Sequence, residues 1–102
     1  IQDNSADLFI EDEIHPMILA MNRVGYDVCV TGNHEYNYGV DTLKRILSQN
    51  HAKILTGNVF DQEGKAIADP YTVIEKGGVK IGLIGMVTPN ITKWDSVNLH
   101  GY

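Results

Sequence analysis

The chain has little of what several protein classes depend on. It has one cysteine, so no disulfide can form between two of its own residues. Lys and Arg number 8 against 13 Asp and Glu, and the net charge of -5 argues against binding a nucleic-acid polymer, which needs clustered positive charge. No apolar run reaches the roughly 20 residues of a transmembrane helix. The hydrophobic fraction of 43% is nevertheless ordinary for a globular core, so disorder is not indicated.

Predicted helices and strands alternate along the sequence. Apolar residues at helical spacing, with Pro16 at the start and Gly25 at the end, predict a helix over 15–24. A β-branched run over 26–31 predicts a buried strand. A second apolar stripe begins after Gly39 and predicts a helix ending near Asn50, before a short strand over 53–56. Strands over 71–75 and 79–84, joined by Lys76-Gly77-Gly78, predict a β-hairpin. The fold class is therefore α/β.

The remaining segments give weaker signals. Residues 61–69 are polar and predict a surface loop, and 86–102 has no clear periodicity. In that last segment an anchor on an apolar surface is favoured for Trp94 over a place in a pocket wall. The acidic residues near the start are predicted to form a solvated surface: Asp3, Asp7, Glu11, Asp12 and Glu13.

Isolated candidate residues receive structural interpretations. Cys29 lies in the predicted buried strand, where a lone thiol packs as a small hydrophobe, so we do not assign it as nucleophile or ligand. His15 is predicted to cap a helix and His51 to be exposed, while His100 has no companions at ligand spacing. For Asn58, which follows a strand, a role in the backbone turn is favoured over one in a site wall.

The segment Gly32-Asn33-His34-Glu35 is the strongest functional signal. It follows the strand over 26–31, and ligands of α/β sheets gather beyond the carboxyl ends of strands. The Asn33 amide oxygen is a hard, neutral metal ligand, and the His34 imidazole can bind metal, transfer a proton or stabilise charge. The alternative is a plain turn, since Gly-Asn is common in loops. On these four residues alone, both interpretations stay open.

Several further segments, taken with this motif, resemble the calcineurin-like metallophosphoesterases. The stretches that recur in the same order are His15-Pro16-Met17, Ala20-Met21-Asn22, Gly25-Tyr26-Asp27, His34-Glu35-Tyr36-Asn37-Tyr38-Gly39, Asn58-Val59, Lys80-Ile81-Gly82-Leu83-Ile84-Gly85, Val87-Thr88-Pro89 and Trp94-Asp95. They cover most of the chain. The resemblance implies part of a metallophosphoesterase β-sandwich flanked by helices, and its spacing is similar to the bacterial 2',3'-cyclic-nucleotide 2'-phosphodiesterase/3'-nucleotidase branch.

The related 5'-nucleotidases are the alternative branch. They resemble this chain over Gly32-Asn33-His34-Glu35, but typically continue with an aromatic residue and an aspartate that orients the catalytic histidine. Here Tyr36 is followed by Asn37, so that aspartate is absent. The stretch from Thr88 to Asp95 also looks more like the cyclic phosphodiesterase branch.

Other motifs of the family do not occur in the chain. There is no Asp-x-His in residues 1–32, no Gly-Asp, and no later Gly-His or His-x-His. Residues 1–4 resemble the segment directly after the Gly-Asp motif in this branch. We therefore expect residues 1–102 to be part of a catalytic domain, with the other metal-ligand motifs outside it.

The resemblance also implies a mechanism and a setting. Two divalent ions, such as Mn, Zn or Fe, would be the cofactors, Asn33 would ligate one of them, and His34 would be the catalytic residue acting on the phosphoryl group. Glu35 is expected to make a structural hydrogen bond. The implied substrates are small nucleotides, and the implied location is periplasmic, secreted or in the cell wall. Two rival hypotheses remain, a 5'-nucleotidase and a non-catalytic α/β module in which the motif is a plain turn.

Overall fold

The computed structural model describes residues 1–2 and 13–102. Of the acidic residues expected to form a solvated surface, only Glu13 lies within these ranges, and it is exposed. The others lie outside the described residues. None of the described helices is long and apolar enough to cross a membrane.

The first half of the chain forms a β-α-β unit preceded by a helix. Helix α1 (Pro16–Val24) ends at Gly25, whose φ of 82° suits a residue without a side chain. Strand β1 (Val28–Val30) lies parallel to β2 (Lys53–Leu55), with Cys29 opposite Ile54. Between them lie a 3₁₀ helix (Asn33–Tyr36) and helix α2 (Val40–Ser48). The α/β class and the order of these elements are confirmed.

The second half begins with the predicted hairpin. Strands β3 (Tyr71–Lys76) and β4 (Val79–Ile84) are antiparallel, with Lys76 opposite Val79. Gly77 and Gly78 both have positive φ, as a tight two-residue hairpin turn requires. A short helix, α3 (Ile91–Trp94), follows in the segment whose sequence has no clear periodicity.

Close main-chain contacts join the hairpin to the end of β2. The N–H of Thr56 donates to the Asp69 oxygen at 2.8 Å, and that of Gly57 donates to the Gly85 oxygen at 2.7 Å. A Cβ placed on Gly85 would lie 2.5 Å from the Leu55 carbonyl carbon, which is closer than a side chain allows. Glycine at position 85 therefore lets the two segments touch.

The core lies between α2 and the segments that follow β2 and β4. Its buried members are Tyr36, Val40, Leu43, Leu47, Val59, Val87, Ile91 and Leu99. Helix α1 contributes a separate buried residue, Ile18, and polar bonds: the Asn22 amide donates to the Gln49 oxygen at 2.8 Å and accepts from the His51 N–H at 2.8 Å.

Two expectations about burial are wrong. Strand β1 is half-buried rather than buried, with Val30 42% exposed, because within the described residues β2 is its one neighbour in the sheet. Trp94 does not anchor its loop, because it is 61% exposed while Ile91 and Leu99 supply the buried contacts of that segment.

Candidate active site

The Gly32-Asn33-His34-Glu35 motif lies just beyond the carboxyl end of β1, as predicted. Thr31 continues the parallel pairing, its N–H donating to the Leu55 oxygen at 3.4 Å, and the chain then turns into the 3₁₀ helix. The N–H of Gly32 donates to Oε2 of Glu35 at 2.5 Å. A Cβ at position 32 would lie 3.1 Å from the same Oε2 atom, so glycine leaves room for this bond.

The Glu35 carboxylate organises the turn. It is buried, and its Oε1 atom accepts from the nitrogens of Ile1 and Gln2, the latter at 3.2 Å. Gln2 in turn donates through its side chain to the Glu35 main-chain oxygen at 3.0 Å. Three donors on one buried carboxylate satisfy it and fix the conformation around it. The structural role predicted for Glu35 is consistent with these bonds.

Three buried hydroxyl groups connect the turn to both strands. Thr31 Oγ1 lies 3.1 Å from the Tyr36 hydroxyl and 2.7 Å from Thr56 Oγ1. Burial raises the pKa of the Tyr36 phenol, and the neighbouring Thr31 and Thr56 hydroxyls oppose that rise. This chain of hydroxyls was not predicted from the sequence. Its only signal there is a threonine directly after each of two neighbouring parallel strands, Thr31 after β1 and Thr56 after β2.

Asn33 and His34 are the motif residues with accessible functional groups. His34 is exposed, and Asn33 is half-buried. His34 Nδ1 lies 2.9 Å from Asn37 Oδ1, whereas the Asn33 amide has no hydrogen-bond partner in the described part of the chain. An unpaired amide oxygen can bind a cation, and an oriented imidazole beside it can bind a phosphoryl group.

Asn37 connects the histidine to a distant part of the chain. Its Nδ2 atom donates to both carboxylate oxygens of Asp95, at 3.0 and 3.3 Å. Asn98 donates through its side-chain amide to the Asn37 main-chain oxygen at 2.8 Å. In the sequence, Trp94-Asp95 is marked only by the family resemblance, and no local pattern joins that segment to Asn37.

The described residues fit one part of a metal site. No cluster of three or more His, Cys, Asp or Glu side chains suited to a metal ion occurs within 1–2 and 13–102. The unpaired Asn33 amide can supply one neutral oxygen ligand. Cys29 is not a candidate, because burial, and secondarily the Glu35 carboxylate, raise the pKa of its thiol and keep it protonated. The thiolate that would bind metal is thus disfavoured.

The other singled-out residues lie away from the motif. His15 caps α1 by accepting the Met17 N–H at 3.2 Å, and His51 is exposed, as predicted for both. Asn58 has more than a turn role, because its amide both donates to and accepts from the main chain of Val87, at 2.7 and 2.9 Å. It lines an apolar cavity of about 290 Å³ with Phe60, Pro89 and other residues, and none of the motif residues lines that cavity.

Comparison with known proteins identifies relatives along most of the chain. No protein-family model matches it. The trifunctional nucleotide phosphoesterase protein YfkN of Bacillus subtilis is 38% identical over 104 residues, which cover 93% of this chain and 7% of YfkN. The 2',3'-cyclic-nucleotide 2'-phosphodiesterase/3'-nucleotidase of Yersinia enterocolitica is 37% identical over 99 residues, or 87% of this chain and 15% of that protein. A 5'-nucleotidase of Vibrio parahaemolyticus is 32% identical over 82 residues, which cover 79% of this chain and 15% of that protein.

The fold agrees with these similarities. The crystal structure of the calcineurin-like phosphoesterase YfkN superposes with a TM-score of 0.80 at 37% identity, over 95% of this chain and 32% of the crystallised one. With the Asn-His turn at the end of β1, this match shows that the chain has the fold of part of a calcineurin-like phosphoesterase. Its sequence is similar to the 2',3'-cyclic-nucleotide 2'-phosphodiesterase/3'-nucleotidases, so the predicted resemblance is confirmed. The chain spans less than a fifth of the length of these curated relatives.

Proposed function

We propose that residues 1–102 are part of a catalytic domain that hydrolyses phosphoesters of small nucleotides, with 2',3'-cyclic nucleotides and 3'-nucleotides as substrates. The observation that carries this proposal is the accessible pair at the end of β1. His34 is exposed and held at Nδ1 by Asn37, while the neighbouring Asn33 amide is unpaired within the described residues. A plain turn needs neither feature. The names of the relatives supply the substrate class.

Asn33 would hold one of two divalent ions, such as Mn, Zn or Fe. Its amide contributes an oxygen without adding negative charge, which leaves the ion more attractive to a phosphate. When bound, a metal pair neutralises phosphoryl oxygens and activates the attacking water. The remaining ligands would come from parts of the domain outside the described residues, consistent with the small share of the relatives that the chain spans.

His34 would act on the phosphoryl group rather than on metal. Because Nδ1 is engaged by Asn37, Nε2 is the ring nitrogen left to meet a substrate. From there the protonated ring can stabilise charge on the phosphoryl oxygens or donate a proton to the leaving oxygen. Glu35 takes no part in the reaction and holds the turn that presents the two residues.

A 5'-nucleotidase is the alternative, and a relative of that name supports it. The residue that favours the cyclic phosphodiesterase is Asn37, since in the structure a neutral amide, and not a carboxylate, contacts the histidine. A non-catalytic α/β module is the second rival. The oriented imidazole and the unpaired amide argue against it. The proposed location is the periplasm, cell wall or medium, on the strength of the resemblance alone.

Substrate choice tests the proposal directly. The full-length protein, loaded with manganese, should hydrolyse 2',3'-cyclic AMP and 3'-AMP faster than 5'-AMP. A preference for 5'-AMP would favour the alternative branch. No turnover of any of the three by folded, metal-loaded protein would favour the non-catalytic module.

The 102-residue chain alone should be inactive. One amide and one imidazole cannot fix two ions, because divalent metal sites need several ligands at defined distances. The assay is hydrolysis of 2',3'-cyclic AMP by the purified 102-residue chain with added manganese. Clear turnover would contradict the proposal that the other ligands lie elsewhere.

A further inference from the structure

The hydrogen bonds around Asn37 form a chain of three side chains. Asp95 lies 58 positions away in the sequence, and both of its carboxylate oxygens accept from the Asn37 Nδ2 atom, at 3.0 and 3.3 Å. The opposite end of the same amide, Oδ1, lies 2.9 Å from His34 Nδ1. The path therefore runs from a carboxylate, through a neutral amide, to the imidazole.

The chemistry of each group fixes the direction of these bonds. An ionised carboxylate only accepts hydrogen bonds, so it requires the NH₂ end of Asn37 and turns the oxygen of that amide towards His34. An amide oxygen also only accepts, so Nδ1 of the ring must carry a proton. Nε2 is then the ring nitrogen left to face a substrate. The contact with Asn37 thus fixes both the tautomer and the orientation of the ring.

We propose that Asp95 is a positioning residue that sets the tautomer and orientation of His34 through Asn37. This inference rests on the proposed function, because it assigns Asp95 a part in the reaction that His34 would carry out. Asp95 would thereby take the orienting role that the resemblance to 5'-nucleotidases assigns to an aspartate at the position of Asn37. The carboxylate lies one side chain further from the ring than such an aspartate would. The Asn37 amide between them is oriented by the carboxylate and in turn orients the ring.

The packing around Asp95 suits this task. Asp95 ends helix α3, its N–H donates to the Ile91 oxygen at 2.9 Å, and its own oxygen accepts from the Leu99 N–H at 2.9 Å. Ile91 and Leu99 are both buried in the core. Asn98, from the same segment, bonds the Asn37 main chain. The main chain that carries the carboxylate is thus held on both sides by residues that pack in the core.

A double-mutant cycle between positions 34 and 95 tests the proposal. In the full-length protein, Asp95→Ala should lower kcat for 2',3'-cyclic AMP by about 10- to 100-fold, as outer partners of catalytic groups typically do, with KM little changed. In the His34→Asn background the same substitution should lower kcat by no more than about twofold, because a residue acting through His34 has nothing left to position.

Each outcome of the cycle is informative. An equal loss from Asp95→Ala in both backgrounds would overturn the inference and leave Asp95 with a general structural role. No loss from Asp95→Ala in the wild-type background would overturn it as well. If His34→Asn itself leaves kcat unchanged, the proposed function of His34 fails, which is distinguishable from failure of the Asp95 inference alone.

Two further variants separate positioning from folding. Asn90→Ala changes an exposed asparagine next to helix α3 whose side chain makes no capping bond and does not contact Asn37, so kcat should stay close to the wild-type value. A loss as large as that of Asp95→Ala would overturn the inference. The second variant is the exchange Asn37→Asp with Asp95→Asn, which puts a carboxylate on the ring and an amide donor behind it. It should recover most of the rate lost in Asp95→Ala, and no recovery by a folded double variant would count against the proposal.

Discussion

The turn that carries Asn33 and His34 and the β3–β4 hairpin are specified in opposite ways. In the turn, the buried Glu35 carboxylate bonds to Gln2 and the buried Thr31 hydroxyl bonds to Thr56, both on other segments. In the hairpin, a ladder of main-chain pairs and a two-glycine turn set the register, while side chains such as Val79 and Ile84 are 61% and 72% exposed. The comparison teaches that the hairpin is determined locally and the candidate site non-locally.

The largest effect on this comparison should come from His34→Asn in the full-length protein. If His34 acts on the phosphoryl group, kcat should fall by about 10²- to 10⁴-fold. Both metal ions and KM should stay near normal, because the lost interaction forms only as charge develops. Steady-state kinetics and elemental analysis are the measurements.

A second substrate sharpens this result. A nitrophenyl ester has a better leaving group, so kcat for this substrate should fall less in His34→Asn if His34 protonates the leaving oxygen. An equal decrease in kcat on both substrates would favour charge stabilisation. Loss of metal from the variant would make His34 a ligand and contradict both versions.

Asn33→Ala should lower the occupancy of one metal site in the full-length protein. The decrease in activity should exceed the roughly 10–100-fold typical of groups one step removed from a metal, and high metal concentration should restore part of it. Metal content and rate are measured against Asn90→Ala, an exposed asparagine whose side chain makes no capping bond. An unchanged metal content in Asn33→Ala would show that Asn33 is not a ligand.

Glu35→Gln should destabilise the protein by about 1–3 kcal/mol, the cost of leaving a buried donor without its acceptor. The substituted amide keeps one oxygen but turns an NH₂ group towards donors that Glu35 satisfies, among them the N–H groups of Gln2 and Gly32. Urea unfolding gives the change, with the exposed Glu75→Gln in the hairpin as the control. Equal stability of the two variants would remove the contrast between the regions.

The smallest effect is expected at the hairpin ion pair. Lys76 Nζ lies 2.8 Å from Asp27 Oδ1, but both side chains are more than half exposed. Lys76→Ala should cost less than about 1 kcal/mol, because solvent screens such pairs and ordering two long side chains opposes the gain. The same urea measurement applies. A larger loss would mean that the pair, and not only the main-chain ladder, holds the hairpin in place.

Elements with a local cause were predictable from the sequence. The caps at His15 and Gly25 bound α1, and the glycine pair at 77 and 78 set the hairpin, so these elements lie within one or two residues of their predicted bounds. The position of Asn33 and His34 beyond β1 followed from the rule that strand ends carry sites. Each of these inferences needed a window of only a few residues.

Features that depend on distant partners were not predictable. Nothing near Asn37 indicates Asp95 or Asn98, because their contact requires α3 and the following turn to pack on the core first. Trp94 illustrates the same limit. Tryptophan is usually buried by its large apolar surface, yet here the smaller Ile91 and Leu99 occupy the core side of that segment.

The contact at Gly85 limits which residues the protein can accept at position 85. Any side chain at position 85 would meet the main chain of Leu55, and a main chain, unlike a flexible side chain, cannot rotate away. A randomised library at this codon should therefore return glycine almost alone. Leu55 directly precedes Thr56, whose hydroxyl belongs to the path that reaches Thr31 and Tyr36. Gly85, which has no side chain, thus restricts by its shape alone which variants can hold Asn33 and His34 in their observed positions.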